Sequence, residues 1–327
     1  MHVIEKLPIL ILEPHSRCNC RCRMCDIWKV ETVEEIRAAD LERQAGEISA
    51  LGVEWVVFSG GEPLMHSGLF RLAARLREMG IRTTALSTGL LLEKHAPAVA
   101  ATLDEVIVSL DGPPQVHDRI RGVARAFDLL ARGVRALRGR RPDFPVAARS
   151  TVQKANHAHL WETAETARAL GLRSISFLAA DVTSTAFHRP EGWPPERQHE
   201  VALAADEIPV LEAQIEALAR LPDGFVLESP EKLRRIVRHF RAYLGQVEPQ
   251  APRCNAPWVS AVWEPDGTLR PCFFHPAYGR LGEAALREVL NSPRAVEFRE
   301  GLKIADDPTC RRCVCSLYRQ GFGWSPK

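Results

Sequence analysis

The sequence predicts an α/β fold: a parallel sheet curled into a partial (β/α)6 TIM-type barrel, followed by a small cysteine-rich C-terminal domain. Three observations carry that prediction. Short β-rich apolar runs alternate with amphipathic helical stretches from residue 7 to about residue 180. Several of these runs end in polar or glycine-rich sequence, and barrels of this kind keep their chemistry at the C-terminal ends of the strands. After residue 180 the alternation stops and longer helical patterns, then a hairpin signal, take over. Six strand–helix units build part of a barrel.

The first strand is expected at residues 7–13 and runs straight into a cysteine loop. A helix patterned by Leu41, Ala45, Ile48 and Leu51 leads to the second strand, 53–59. Another on Leu69, Leu72, Leu76 and Met79, stopped by Gly80, leads to the third, 82–87. The fourth strand is 105–110. The fifth, 146–152, follows a helix on Phe127, Leu130, Val134 and Leu137. Before the sixth, 174–178, Asn156 reads as the N-cap of a helix carrying Leu160, Ala164, Ala167 and Leu170, with Gly171 as its stop. Residues 1–180 form the core by this reading. Residues 181–250 are a helical connector or substrate-side insertion: Pro190, Pro194 and Pro195 bracket a loop with Trp193, and helical patterns cover 201–220 and 231–244. Residues 251–327 open on a hairpin signal at Pro265-Asp266-Gly267.

Composition narrows the function. With 46% hydrophobic and 26% charged residues the chain has the makeup of a soluble globular protein, and a net charge of +2 leaves no footprint for nucleic acid. The densest basic run, 132–141, has a helical apolar spacing on its other side and reads as a solvated face. The apolar start from Leu7 stops at Glu13, far short of a membrane span and without a signal-cleavage pattern, so a cytoplasmic protein with no membrane partner is expected.

Nine cysteines fall in two groups, Cys18, Cys20, Cys22 and Cys25, then Cys254, Cys272, Cys310, Cys313 and Cys315, with none in the 228 residues between. Clustered cysteines in a chain of this size point to metal and not to disulfides. The spacing C-x3-C-x2-C of Cys18, Cys22 and Cys25 lets three soft thiolates hold an iron–sulfur cube by three corners, with the fourth iron open. A zinc knuckle needs a fourth ligand, and no second pair lies nearby. Cys20, between the ligands, is a packing residue or an extra thiol. In the second group, Cys254 lies ahead of a G-x4-C run from Gly267 to Cys272, and Cys310 and Cys313 form a C-x2-C pair. Four thiolates of this kind suit a second cube or a tetrahedral zinc ion.

Gly60-Gly61-Glu62-Pro63 follows Cys25 by 35 residues at the end of an apolar run. With the cysteine loop it makes residues 7–180 resemble the radical S-adenosylmethionine (SAM) enzymes. The resemblance implies that Cys18, Cys22 and Cys25 hold a catalytic [4Fe–4S] cluster whose open iron chelates SAM. It implies that Gly60, Gly61, Glu62 and Pro63 form the GGEP motif that binds the SAM ammonium, a cation suited to a carboxylate. Ser109, with Asp111-Gly112, and Arg121-Gly122 resemble the family segment that binds the SAM carboxylate, for which a guanidinium offers a two-pronged donor. Two positions depart from the family pattern. Ser87-Thr88-Gly89 stands where many relatives have Thr-Asn-Gly, which makes Ser87 or Thr88 the candidate ribose contact. Met24 stands where an aromatic residue usually covers the adenine, and Trp28, one helical turn on, is either a substitute cover or a core residue.

The second cysteine group resembles the SPASM and Twitch extensions, which open with C-x(9–15)-G-x4-C. A full SPASM extension has more cysteines than the five here, so the shorter Twitch form is expected. Its auxiliary [4Fe–4S] cluster would use Cys254, Cys272, Cys310 and Cys313, with Cys315 as substitute. His275 faces the active site or sits in a turn. The resemblance implies reductive cleavage of SAM and hydrogen abstraction from a substrate, with a reductase such as flavodoxin or ferredoxin as partner. Oxidation or rearrangement of a small polar metabolite is favoured over peptide or protein side-chain maturation, because a first strand near residue 7 leaves no room for a leader-binding domain. The rival from another class is a non-catalytic iron–sulfur or zinc scaffold, against which the intact Gly60–Pro63 motif speaks.

Overall fold

Six parallel strands, each followed by a helical return, form the sheet that the alternation predicts. In the computed structural model, which describes residues 2–221 and 224–321, the core runs β1 (Ile9–Leu12), α1 (Ala38–Ala50), β2 (Trp55–Phe58), α2 (Leu69–Glu78), β3 (Arg82–Ser87), α3 (Leu92–Thr102), β4 (Glu105–Ser109), α4 (Pro114–Arg121), α5 (Ala126–Arg140), β5 (Val146–Val152), α6 (Leu160–Ala169) and β6 (Ile175–Ala179). Neighbours in the sheet follow chain order from β6 to β1. The strands alternate sides: Leu10 and Leu12 of β1 are wholly buried while Ile11 between them is partly open. Apolar stripes such as Leu41, Ala45 and Ile48 of α1 and Leu72, Ala73 and Leu76 of α2 are buried.

Two helices carried no clear signal in the sequence. Pro97 lies inside α3, where it removes a backbone donor, and α4 is only eight residues long. One expectation is corrected. Helix α6 starts at Leu160 after His159, and Asn156 is not its cap. Asn156 is instead fully buried, with its amide accepting from Gln153 N (2.8 Å) and donating to the carbonyls of Asp111 (2.9 Å) and Thr151 (3.1 Å). A buried amide must find partners, and here they are the loops after β4 and β5.

The connector forms α7 (Pro195–Val201), α8 (Ile208–Ala219) and α9 (Pro230–Tyr243). Residues 225–227 run beside β6, with Ile175 N donating to Phe225 O and Leu227 N to Ile175 O, both at 2.9 Å. The last part forms α10 (Ala256–Val259), β7 (Ser260–Trp263), β8 (Thr268–Arg270), β9 (Gly279–Arg280), α11 (Leu286–Leu290), α12 (Pro293–Gly301) and α13 (Pro308–Arg311). The expected hairpin is β7–β8, and it does not stand apart. Strand β7 pairs in parallel with β1, from Ile9 opposite Ser260 to Leu12 opposite Trp263, so one nine-stranded sheet spans both cysteine groups. Buried Arg299 secures the return by donating to the carbonyls of His2 (2.6 Å) and Leu290 (2.8 Å).

Candidate functional site

The chain leaves β1 at Leu12 and turns over the C-terminal rim of the sheet as the first cysteine loop. That loop is tied down from several sides: Arg21 N donates to Arg121 O (2.8 Å), Arg23 N to Ile120 O (3.1 Å), and Glu62 N to Arg17 O (2.9 Å). Gly60 and Gly61 pass directly against it. Gly60 has φ +86°, and a Cβ there would lie 2.8 Å from the Cβ of Glu13; a Cβ on Gly61 would overlap the carbonyl of Arg17. Only glycine permits this approach. Gly61→Ala is therefore expected to push the cysteine loop off the rim, lowering iron in the reconstituted protein by about four per chain. Iron analysis of the folded variant checks it, and a parental iron content would show that the contact is dispensable.

Within the loop the sulfur of Cys20 sits between those of Cys18 and Cys22. Cys20, nearly inaccessible, hydrogen-bonds with both Cys18 and Cys22, which raises its own thiol above the ordinary range. The same bond from Cys20, with the Arg121 guanidinium next, outweighs burial and brings Cys22 down to about 7. Burial pushes the Cys25 thiol up. Arg121 Nη1 is 3.5 Å from Cys22 Sγ, and Nη2 is 2.5 Å from Asp111 Oδ2. Burial opposes the charge of Arg121, but Asp111 and then Cys22 outweigh it. Three thiols on one loop, one of them already inclined to ionise, fit a cube held by three corners. Arg121, expected at the SAM carboxylate, is engaged instead with Asp111 and Cys22, although its Nε is buried without a partner and remains a free donor.

Glu62 is fully buried and links two strand ends. Its Oε1 accepts from Leu64 N (3.0 Å) and Ser87 Oγ (2.8 Å), and its Oε2 from Thr88 N (2.6 Å). Burial raises its pKa, with these bonds opposing. The Thr88 side chain is a fourth hydrogen-bond partner, so the acceptor sites of the two carboxylate oxygens, about four, are all engaged within the protein, and a bound ammonium would have to take one of them over. Glu62 is thus the buried negative group at this part of the rim, and Ser87 and Thr88 spend part of their capacity on Glu62 itself. Pro63 starts a one-turn 3-10 helix that Glu62 caps. Ser109 ends β4 half-buried on the rim. Met24 packs partly buried against the core, and Trp28 gives its indole N–H to Cys25 O at 2.9 Å.

Sequence reasoning missed four groups here. Asn19 Oδ1 accepts from Thr88 Oγ1 at 3.0 Å, joining the cysteine loop to the end of β3. Glu13, at the rim beside Gly60, is pushed up to about 8 by burial and then by the charge of Glu264. Asp181 and Arg189 form a buried ion pair, and Asp26 accepts from the Trp193 indole at 2.7 Å. The Asp181–Arg189 pair closes the loop at 181–193 on itself, and Asp26 ties that loop to the cysteine loop. The one sequence signal was Glu13, an acid closing an apolar run next to the cysteines.

The second cysteine group gathers at the other end of the sheet extension. Cys254, Cys272, Cys310, Cys313 and Cys315 line one small cavity with His275. Burial raises Cys272 to about 11. His275 Nε2 is 3.3 Å from Cys310 Sγ and 3.7 Å from Asp307 Oδ1, and Asp307 also accepts from Cys310 N (2.8 Å). His275 therefore belongs to this second group. The five thiols, with His275 and Asp307 beside Cys310, supply enough sulfur donors for a second cube. Among the described residues no helix is long and apolar enough to cross a membrane.

A model of the radical SAM superfamily matches residues 12–167, and one of the SPASM iron–sulfur cluster-binding domain matches residues 254–314. The chain is 31% identical over 159 residues to Fe-coproporphyrin III synthase of Methanosarcina barkeri, covering 46% of this chain and 39% of that protein. It is 28% identical over 327 residues to the PqqA peptide cyclase of Ruegeria pomeroyi, covering 94% of this chain and 79% of that protein. The chain spans 39% to 50% of the length of the first curated relatives it matches. In fold it is similar to Streptococcus suis SuiB bound to SAM, with a TM-score of 0.66 at 15% identity over 97% of this chain and 74% of that one. Domains of these two kinds imply a catalytic [4Fe–4S] cluster, SAM and auxiliary iron–sulfur binding. With each cysteine group inside its own family match, on a parallel sheet that gathers the first group at its C-terminal rim, the chain belongs to the radical SAM superfamily and carries a SPASM iron–sulfur cluster-binding domain.

Proposed function

We propose that this chain is an oxidoreductase that removes a hydrogen atom from a small polar metabolite. The observation that carries the reading is the rim itself. Three thiols, the two glycines that let their loop seat, and a buried carboxylate lie on adjacent strand ends. When bound and reduced, the first cluster supplies the electron that cleaves SAM into methionine and a 5′-deoxyadenosyl radical. The chain's own residues do the rest. Cys18, Cys22 and Cys25 hold the cluster, and Arg121 beside Cys22 favours the thiolate. Glu62 orients the SAM ammonium, Arg121 Nε is available to the SAM carboxylate, and Ser87, Thr88 and Ser109 border the ribose. Met24 and Trp28 border the adenine. The hydrogen bond from Trp193 to Asp26 holds the 181–193 loop beside the cysteine loop.

Cys254, Cys272, Cys310 and Cys313 would hold one auxiliary [4Fe–4S] cluster, which would supply an acceptor for an electron from the substrate, and a reductase such as flavodoxin or ferredoxin would be the source of electrons for the first cluster. Likeness to Fe-coproporphyrin III synthase supports a small-molecule substrate. Likeness to a peptide cyclase along nearly the whole chain supports a second reading, peptide side-chain maturation.

The test is an anaerobic reaction with dithionite and SAM. Reconstituted protein should carry about eight irons, and about four after replacement of Cys310 and Cys313. The parent should form 5′-deoxyadenosine, and the double variant should keep some of that formation while losing product. Iron-loaded parent that forms no 5′-deoxyadenosine would make the chain a scaffold. A parent with four irons and a bound zinc ion would remove the auxiliary cluster.

A further inference from the structure

Between α9, the end of β6 and residues 311–316 the fold leaves a cleft of about 290 Å3. That is near the lower end of volumes that hold a small ligand. Its floor is apolar, with Phe177, Leu178, Ile236 and Tyr243, and Cys313 of the second cysteine group stands in its wall. Its rim is cationic. Lys232 and Arg235 come from α9 and Arg312 from the segment beyond α13, joined by Arg238 and Arg311.

The pairing of these cations divides along α9. Arg234 and Arg241, on the side facing α8, are matched by Glu216 and Glu212, each at 2.6 Å. On the cleft, Arg311 is matched by Glu248 (3.0 Å) and Arg238 donates to the Glu248 carbonyl (3.0 Å). Lys232, Arg235 and Arg312 have no side-chain hydrogen bond and no ion pair among the described residues. Arg235 is half-buried, and the groups of opposite charge nearest it are the thiols of Cys313 and Cys254 and the carboxylate of Glu231, with none of which it forms an ion pair. A guanidinium in that state costs free energy until an anion meets it. The unmatched cations converge on an apolar floor.

We propose that this cleft binds a carboxylate of a small organic acid, held by Arg235 with Lys232 and Arg312, its apolar body on Phe177, Leu178 and Ile236. A guanidinium takes a carboxylate through two parallel bonds, and the apolar floor suits a carbon skeleton more than an inorganic anion. The inference deepens the proposed function by naming a substrate class, and it rests on that reading for the site's place in the reaction. The acid would lie against Cys313, beside the auxiliary cluster, with the end of β6 leading back to the rim.

The probe is tricarballylate, titrated calorimetrically into reconstituted protein at low ionic strength, with its triamide and inorganic phosphate as comparisons. Saturable binding of tricarballylate and none of the triamide are expected. Affinity should fall tenfold or more in Arg235→Gln, and again in a Lys232→Gln, Arg312→Gln double variant of two exposed side chains whose loss leaves the core untouched. No saturable binding, or equal affinity in both variants, would overturn the proposal. Phosphate binding at least as tight as tricarballylate would overturn the carboxylate assignment. Arg235 lies near Cys313 and Cys254, so iron is measured in each sample, and affinity lost only where iron is lost would assign Arg235 to the cluster and overturn the site. Failure of the parent to cleave SAM would remove the proposed function and leave the anion site judged by binding alone.

Discussion

Replacement of Cys18, Cys22 and Cys25 together by alanine is expected to lower iron from about eight to about four per chain and to bring 5′-deoxyadenosine to background. The loss should be complete because, without these three, Cys20 is the one thiol left on the loop. Cys20, though in hydrogen-bond contact with Cys18 and Cys22, is held as a thiol by those same bonds and is nearly inaccessible. The second cysteine group hangs on its own loops around β7 and β8, so its iron should persist. The measurement is iron per folded chain alongside nucleoside chromatography. Retention of all the iron would place the first cluster elsewhere.

The second large effect is expected at Arg121, through stability. Asp111 is fully enclosed, accepts from Thr151 N (2.8 Å), and has the Arg121 guanidinium as its opposite charge at 2.5 Å. Arg121→Met removes that charge and strands a carboxylate in the interior, at a cost of about 3–5 kcal/mol. Asp111→Asn in the same chain should recover much of the loss, because a neutral amide has no charge to strand. The Cys22 thiol would also lose a neighbour that lowers its pKa, so the single variant should load iron poorly. Thermal melts of the two variants and the parent check the first claim. A single variant as stable as the parent would show that the pair adds nothing to folding.

The local patterns were the legible ones. The strand runs appear within two residues of their expected bounds, since an apolar run closed by a turn needs only its own residues to declare itself. The first cysteine group is a local pattern of the same kind: three cysteines within eight positions can wrap a cube without help from the rest of the chain. Asn156 was misread because a polar residue before a helical run is a good cap on local grounds, and its real partners come from two other strand ends.

By itself, then, the sequence determined the apolar stripes of the core, where the strands and most helices lie, and which cysteines lie close together in the chain. The tertiary structure alone decided what meets across distance. It set Arg121 between Asp111 and Cys22, 99 positions apart from the sulfur it touches. It laid β7 along β1 so that both cysteine groups share one sheet, and it turned one edge of α9 into the cationic rim of a cleft. The physical reason is that burial and turn preferences are properties of a few neighbouring residues. A salt bridge, a strand pairing or a cavity exists only once the chain has closed long loops and brought together groups that no local pattern relates.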